Sequence, residues 1–320
     1  MSGMGMRVLG LCAGSPGGSA EILLRVALDA AAAAVPGAPG GARADLVRLG
    51  DVSLPQRPAA PGELPAGDDG PWLWDQLMDS DGLIVATPIH SRTIPGTLKL
   101  AADRLAGPAA DVAFAESYRQ MLAAGQVPPV AFPYDERVFR PRVAGFLAVG
   151  GAVATQWHTL ALPLLHQMTF SAHIAVVDQA LVTGAGMPRS VVLDDAALAA
   201  ASRVGHSVGT QLGVAFDDAQ YRGEPGLCPL CHLSVVTIDG AAAQCATCGA
   251  QGRLAVQDGA ARVRFDDPAG LDRSVISLAE KRAHFREVQE TAAAQGALAG
   301  EIARLAAEYE GPGRVITPPR

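Results

Sequence analysis

Short, almost wholly apolar strands that alternate with helical segments limit most strongly what this chain can fold into. Residues 7–13, Arg-Val-Leu-Gly-Leu-Cys-Ala, form such a run and stop at Gly14. Their length and flanks are those of a buried strand. The pattern recurs at 82–86, 144–149 and 174–178, and residues 43–49 add a strand in which Ala44 and Leu46 alternate with other residues. Helical spacing predicts helices over 20–34, 72–78, 94–105, 159–170 and 194–212. In the first of these Ile22, Leu23, Val26 and Ala30 share a face and Pro36 is the stop. Strands apolar on both faces need cover on both faces, so residues 1–215 are expected to form an open, doubly wound parallel sheet.

Two stretches depart from that rhythm. Residues 107–141 are too long for an ordinary connection and carry Tyr118, Tyr134, Arg137, Arg140 and Arg142; they read as a lid, a dimer arm or a solvated excursion. Residues 273–309 read as one long helix whose apolar positions Leu278, Phe285, Val288, Ala292, Ile302, Leu305 and Tyr309 approximate a heptad seam. That seam suits a dimer contact or packing on the chain's own domain. The tail from Gly311 is expected to be loose. The expected organisation is a sheet domain over 1–220, a small module over 221–265, and a helix with its tail over 266–320.

Composition excludes several classes. With 49% hydrophobic and 18% charged residues the chain can bury a sizeable core. A net charge of −7 disfavours nucleic acid and anionic membrane as partners. Residues 1–6 do not resemble a signal peptide, and no apolar run reaches the length of a membrane span, so a cytoplasmic location is expected.

In a doubly wound sheet, ligands bind beyond the carboxyl ends of the strands. Three loops leave that edge. The first is Gly14-Ser-Pro-Gly-Gly-Ser19, directly before a helix. Its small residues let backbone amides approach an anion, Ser15 and Ser19 add hydroxyls, and the helix N-terminus adds partial positive charge. With no Lys or Arg it suits a phosphate monoester rather than a nucleoside triphosphate; a plain tight turn reads equally from it. The second loop is Thr87-Pro-Ile-His-Ser-Arg92, where Pro88 stiffens a turn able to lie against a flat ring. The third begins Gly150-Gly151-Ala152, with Trp157 and His158 behind it as wall residues, or alternatively as a packed aromatic and a surface histidine.

Cys228-Pro-Leu-Cys231 and Cys245-Ala-Thr-Cys248 are two C-x2-C pairs separated by thirteen residues. Two such knuckles place four thiolates around one ion. Zinc is favoured over iron, because His232 stands where rubredoxin-like knuckles carry Gly and Ala246-Thr247 where they carry Pro; His232 itself is expected to be a knuckle residue rather than a ligand. The fifth cysteine, Cys12, is expected to be a small buried side chain.

The run from Arg7 through Ser15-Pro-Gly-Gly-Ser19 to Leu24 resembles the opening of the NADPH-dependent FMN reductases and iron–sulfur flavoproteins. So does Ser80-Asp-Gly-Leu-Ile-Val-Ala-Thr-Pro-Ile-His90, followed by Gly96, Leu98, Lys99, Asp103 and Arg104. The resemblance covers about residues 6–215. It implies a flavodoxin-like α/β fold with five strands in the order 2-1-3-4-5. It implies non-covalent FMN, its phosphate at Ser15, Gly17, Gly18 and Ser19, its ring flanked by Thr87, Pro88, Ile89 and His90, and the site closed by Gly150 and Gly151. NAD(P)H would be the hydride donor, and free flavin, a quinone or a specific metabolite the acceptor. The family also makes a homodimer or higher oligomer plausible. The sequence departs from the family in three places. The phosphate loop is short and lacks the usual basic residue after Pro16, His90 stands for a Tyr, and Pro55-Gln-Arg-Pro58 lacks cluster cysteines, so no four-iron cluster is expected.

The flavin carries the hard chemistry, so no triad is required. His90 and His158, with Arg92, are the candidates to orient substrate or pass a proton. The competing reading is a flavodoxin-like chain without catalysis that works as an interaction module through its metal ribbon and C-terminal helix.

Overall fold

The computed structural model describes residues 5–35, 41–55, 67–105, 110–126, 134–309 and 316. Pro-Gln-Arg-Pro is described only at Pro55. Most of the tail from Gly311 and parts of 107–141 lie outside these residues.

Five strands build the main sheet: β1 (Arg7–Cys12), β2 (Arg43–Arg48), β3 (Gly82–Pro88), β4 (Val143–Val149) and β5 (Ala175–Val182). Every pairing is parallel and the order is β2-β1-β3-β4-β5. Alternate side chains of β1 go to opposite faces, as the pleat requires. Leu9 and Leu11 enter one core with Leu83, Val85 and Phe146, while Val8 and Cys12 enter the other with Ile84, Ala86 and Leu147. Cys12 is fully buried, as expected.

The second core is roofed by α1 (Ser19–Ala33) and α6 (Asp195–Gly209). These two helices touch almost backbone to backbone. A Cβ at Gly205 would lie 2.0 Å from the carbonyl oxygen of Ala27, and one at Gly209 would lie 2.2 Å from that of Ala31. That contact sets the axis of α1, and with it the place of its N-terminus at the end of β1. The opposite face carries α2 (Gly70–Met78), α3 (Gly96–Leu105) and α5 (Ala161–Leu165).

The expected helix over 159–170 is shorter than its pattern: α5 ends at Leu165 and a 3-10 turn covers His166–Met168. Strand β5 runs on through Gln179 to Val182, past the predicted end at 178. Its two polar residues are buried because each has partners. Asp178 accepts from Arg203 at 2.5 Å and from Ser207 at 2.9 Å, and Gln179 bonds His166 at 3.0 Å and the Cys231 carbonyl at 2.9 Å.

The described part of 107–141 holds α4 (Val112–Ala123) and a 3-10 turn at Glu136–Phe139. It is anchored at the amino ends of the strands. Arg137 pairs with Asp75 and Asp79 at the end of α2, and the buried Arg142 donates to the carbonyls of Met78 and Ser80. A lid over the carboxyl edge is therefore not what these described residues form.

A second sheet is an antiparallel meander of β6 (Val236–Asp239), β7 (Ala242–Cys245), β8 (Gln251–Gln257) and β9 (Ala260–Arg264). Besides Gln179 on Cys231, the linker amide of Arg222 donates to Val177 of β5 at 2.7 Å. After the short α7 (Pro268–Leu271) come α8 (Leu278–Gly296) and α9 (Ala299–Ala307). The predicted single helix is thus broken at 297–298. The first half of α8 packs back on α4: Arg282 forks onto Glu116 with both contacts at 2.8 Å, and Phe285 meets Phe114 edge to face. Beyond it Val288, Ile302, Leu305 and Tyr309 stay exposed. Among the described residues no helix is long and apolar enough to cross a membrane.

Candidate active site and metal centre

Because all five strands run one way, the loops after β1, β3, β4 and β5 emerge together at the carboxyl edge. Contacts between them are close. A Cβ on Gly14 would lie 3.6 Å from Cδ of Pro88, one on Gly150 3.1 Å from Cδ1 of Ile89, and one on Gly151 3.2 Å from Cα of Gly186. The glycines of the third loop thus stand where side chains would crowd the second and fourth loops, while Gly14 lies at ordinary contact distance from the second. The structure brings Ser15, Gly17, Gly18 and Ser19 to this edge, together with Thr87, Pro88, Ile89, His90, Gly150 and Gly151.

The first loop is held by its own hydrogen bonds. Gly18 N–H donates to the Ser15 carbonyl at 2.9 Å, and Gly17 takes a left-handed φ of +66° that favours glycine. Glu21, in the first turn of α1, reaches back past the N-cap residue Gly18 to accept from the Gly17 amide at 3.2 Å. Its carboxylate is buried and held from outside by Arg48, at 2.8 and 2.9 Å, and by Arg25, at 2.7 and 2.9 Å. The Arg48 guanidinium, with Arg25 and the Gly17 amide, brings the Glu21 pKa down to about 2 against the cost of burial. Sequence reading passed over Glu21 as one more helix residue.

The second loop is a two-residue hairpin. His90 and Thr93 exchange backbone hydrogen bonds at 2.9 Å each way, which leaves Ser91 and Arg92 at the turn with φ of +47° and +76°. A type I′ hairpin turn requires positive φ at both positions, where Asn-Gly is the usual choice. For two non-glycine residues the cost is on the order of 1–2 kcal/mol each. Strain held at such a place marks a constrained tip. Arg92 spans to the third loop, donating through Nε to the Gln156 carbonyl at 2.6 Å. His90 is exposed on this tip, and His158 is half-buried at the end of the third loop. Val153 and Trp157 of the third loop and Met187 of the fourth are exposed apolar side chains at the same edge.

The fourth loop, 183–190, was not singled out from sequence. The rule that located the other three applies to it as well, and Gly184-Ala-Gly186 was the available signal.

At the metal centre, the ligand atoms of Cys228, Cys231, Cys245 and Cys248 all lie within 4.8 Å of one another, and the four residues are buried. The closest sulfurs are 3.4 Å and 3.5 Å apart, near the edge length of roughly 3.8 Å for a tetrahedron with metal–sulfur bonds of about 2.3 Å. No disulfide links them. Both knuckles close alike: His232 N–H donates to Cys228 and Gly249 N–H to Cys245, each from a left-handed residue. His232 stacks on Tyr221 at 3.6 Å between ring centroids and is not part of the sulfur cluster. The donor set and its dry setting fit one tetrahedral metal ion.

Behind the ribbon, the fully buried His166 lines a cavity of about 170 Å³ together with His173, Tyr221 and Lys281. Burial pushes the His166 pKa down to about 4, and its Nδ1 has no partner among the described residues.

A five-stranded parallel sheet in the order 2-1-3-4-5, with small-residue loops gathered at its β1/β3 switch point, defines a flavodoxin-like fold. Residues 6–186 match the NADPH-dependent FMN reductase family, and the chain belongs to it, as an NAD(P)H-dependent FMN oxidoreductase. Among curated proteins, a flavone synthase of Aspergillus candidus is 36% identical over 306 residues, 91% of each chain. Among solved structures, one described as flavone reductase superposes with a TM-score of 0.79 at 23% identity, covering 98% of this chain and all of the other.

Proposed function

We propose that this oxidoreductase exchanges hydride between NAD(P)H and a flavone-type acceptor: a flat, conjugated fused-ring ketone bearing an aryl group. The relation to the flavone synthase carries this reading. It extends over 91% of the chain, whereas the general family match stops at residue 186. A match of that length must run on past residue 186 through the four-cysteine segment of a protein named for a flavone.

In this reading the FMN phosphate lies at Ser15, Gly17, Gly18 and Ser19. Thr87, Pro88, Ile89 and His90 flank the ring, and Gly150 and Gly151 let the third loop close on it. FMN, when bound, supplies the hydride relay between nicotinamide and acceptor. The exposed Val153, Trp157 and Met187 give a flat apolar acceptor surface to lie on at the mouth of the site. The overall step balances as follows. The carbon–carbon double bond conjugated to the ketone gains one hydride, originating in NAD(P)H, and one proton from solvent. NAD(P)+ leaves, and the reverse direction regenerates the flavone. His90 and His158 would carry that proton. The four-cysteine ribbon holds zinc, a redox-silent staple for a module with little core of its own.

The test is anaerobic incubation with NADH or NADPH and, separately, a flavone, free FMN and a benzoquinone, with products separated by chromatography. The reading expects the dihydro product from the flavone. Turnover of free FMN or quinone with the flavone left untouched would assign the chain to general flavin or quinone reduction instead.

A further inference from the structure

The phosphate loop contains no cation, yet the fold brings cations to it. A Cβ on Gly17 would lie 3.6 Å from Nη2, 3.9 Å from Cζ and 4.0 Å from Nε of Arg189. Three guanidinium atoms at nearly equal distance mean that the group turns its face to the point where a Gly17 side chain would begin. Arg189 comes from the connection after β5, far along the chain from the loop it reaches.

Its position is held by the backbone. Arg189 sits at a left-handed φ of +67° and its carbonyl accepts from Val192 N–H at 3.2 Å, opening the 3-10 turn Ser190–Leu193. Val191 of that turn is buried in the core that α1 shares, so the turn is fixed relative to the loop. Among the described residues Arg189 has no carboxylate partner, whereas Arg25 and Arg48 are both spent on Glu21. One guanidinium beside the loop is therefore free to meet an anion.

We propose that Arg189 is the residue that holds the FMN phosphate dianion at the Ser15–Ser19 loop, in place of the loop cation this sequence lacks. The inference rests on the reading that FMN binds with its phosphate at that loop. The chemistry fits: a phosphate monoester carries close to two negative charges at neutral pH, and guanidinium meets it with two parallel donors. The two serine hydroxyls and the first backbone amides of α1 complete the cradle. Arg189 thereby sets the preference for FMN over riboflavin, which has the same ring and no phosphate.

The experiment is flavin binding to the full metal-loaded chain stripped of flavin, read by quenching of flavin fluorescence, for FMN and riboflavin in parallel. One charge-assisted contact corresponds to roughly a 10- to 100-fold change in Kd. Arg189→Gln is expected to raise the Kd for FMN by that factor and leave that for riboflavin unchanged. The FMN affinity should also become less sensitive to salt, and Arg189→Lys should recover part of the loss. If Arg189→Gln keeps the wild-type preference for FMN, or weakens both flavins equally, Arg189 does not hold the phosphate. If the wild-type protein itself binds riboflavin as tightly as FMN, the phosphate-loop reading fails before Arg189 is reached.

Discussion

His166 gives the sharpest test of how the ribbon is seated. The imidazole is fully buried, Nε2 is 3.0 Å from Gln179 Oε1, and burial pushes its pKa from the usual 6.5 to about 4. The unfolded chain takes up this proton near pH 6.5, while the folded chain refuses it until near pH 4. The stability contribution is therefore complete above about pH 6.5 and is lost as the pH falls through that window. At 1.36 kcal/mol per pH unit the loss reaches about 2 kcal/mol by pH 5 and about 3 kcal/mol near pH 4. His166→Gln removes the titrating group and keeps an amide able to meet Gln179. Urea unfolding at pH 7.5 and pH 5.0 would compare the two proteins. Wild type should lose about 2 kcal/mol more than the variant over that interval, whatever the variant loses in absolute stability. His173, also pushed to about 4 by burial, steepens both curves alike. Equal pH slopes would show that solvent reaches His166 and that the seating described above is wrong.

Ser15→Asp places a carboxylate where the phosphate is expected, so purified protein should lose its flavin absorbance near 450 nm, on the order of a hundredfold in affinity; undiminished flavin content would refute the loop assignment. Cys245→Ser removes one of four buried ligands. Elemental analysis should then fall well below the one metal per chain expected of the wild type, with unfolding at lower denaturant, and a visible thiolate–iron spectrum in the wild type would replace zinc with iron.

Much of the fold was legible because its signals are local. Apolar runs of five to seven residues specify strands buried on both faces, and cysteine spacing specifies a knuckle pair. What the sequence hid depends on partners distant along the chain. Asp178 and Gln179 look like the end of a strand until Arg203, Ser207, His166 and Cys231 are brought to them. Pro163 and Gly296 each lie near the point where a periodic pattern stops being one helix, but periodicity alone continued through both. At the candidate site, the loops announced themselves through glycine and proline. Glu21 and Arg189 did not, because nothing in their local sequence distinguishes a buried, doubly paired carboxylate or a guanidinium laid on a glycine from ordinary surface charge.

The backbone bond from Arg222 to Val177, with Gln179 on Cys231, also bears on how the protein behaves in bulk. β5 is one of the two edge strands of its sheet, β2 being the other, and unguarded edge strands recruit the strands of other molecules. Here the linker and the first knuckle cover that flank. A metal ion held by the four cysteines would thus also guard against self-association. Stripping it should yield cloudy, precipitating material rather than a well-behaved metal-free enzyme, and any activity lost on chelation will include molecules lost from solution.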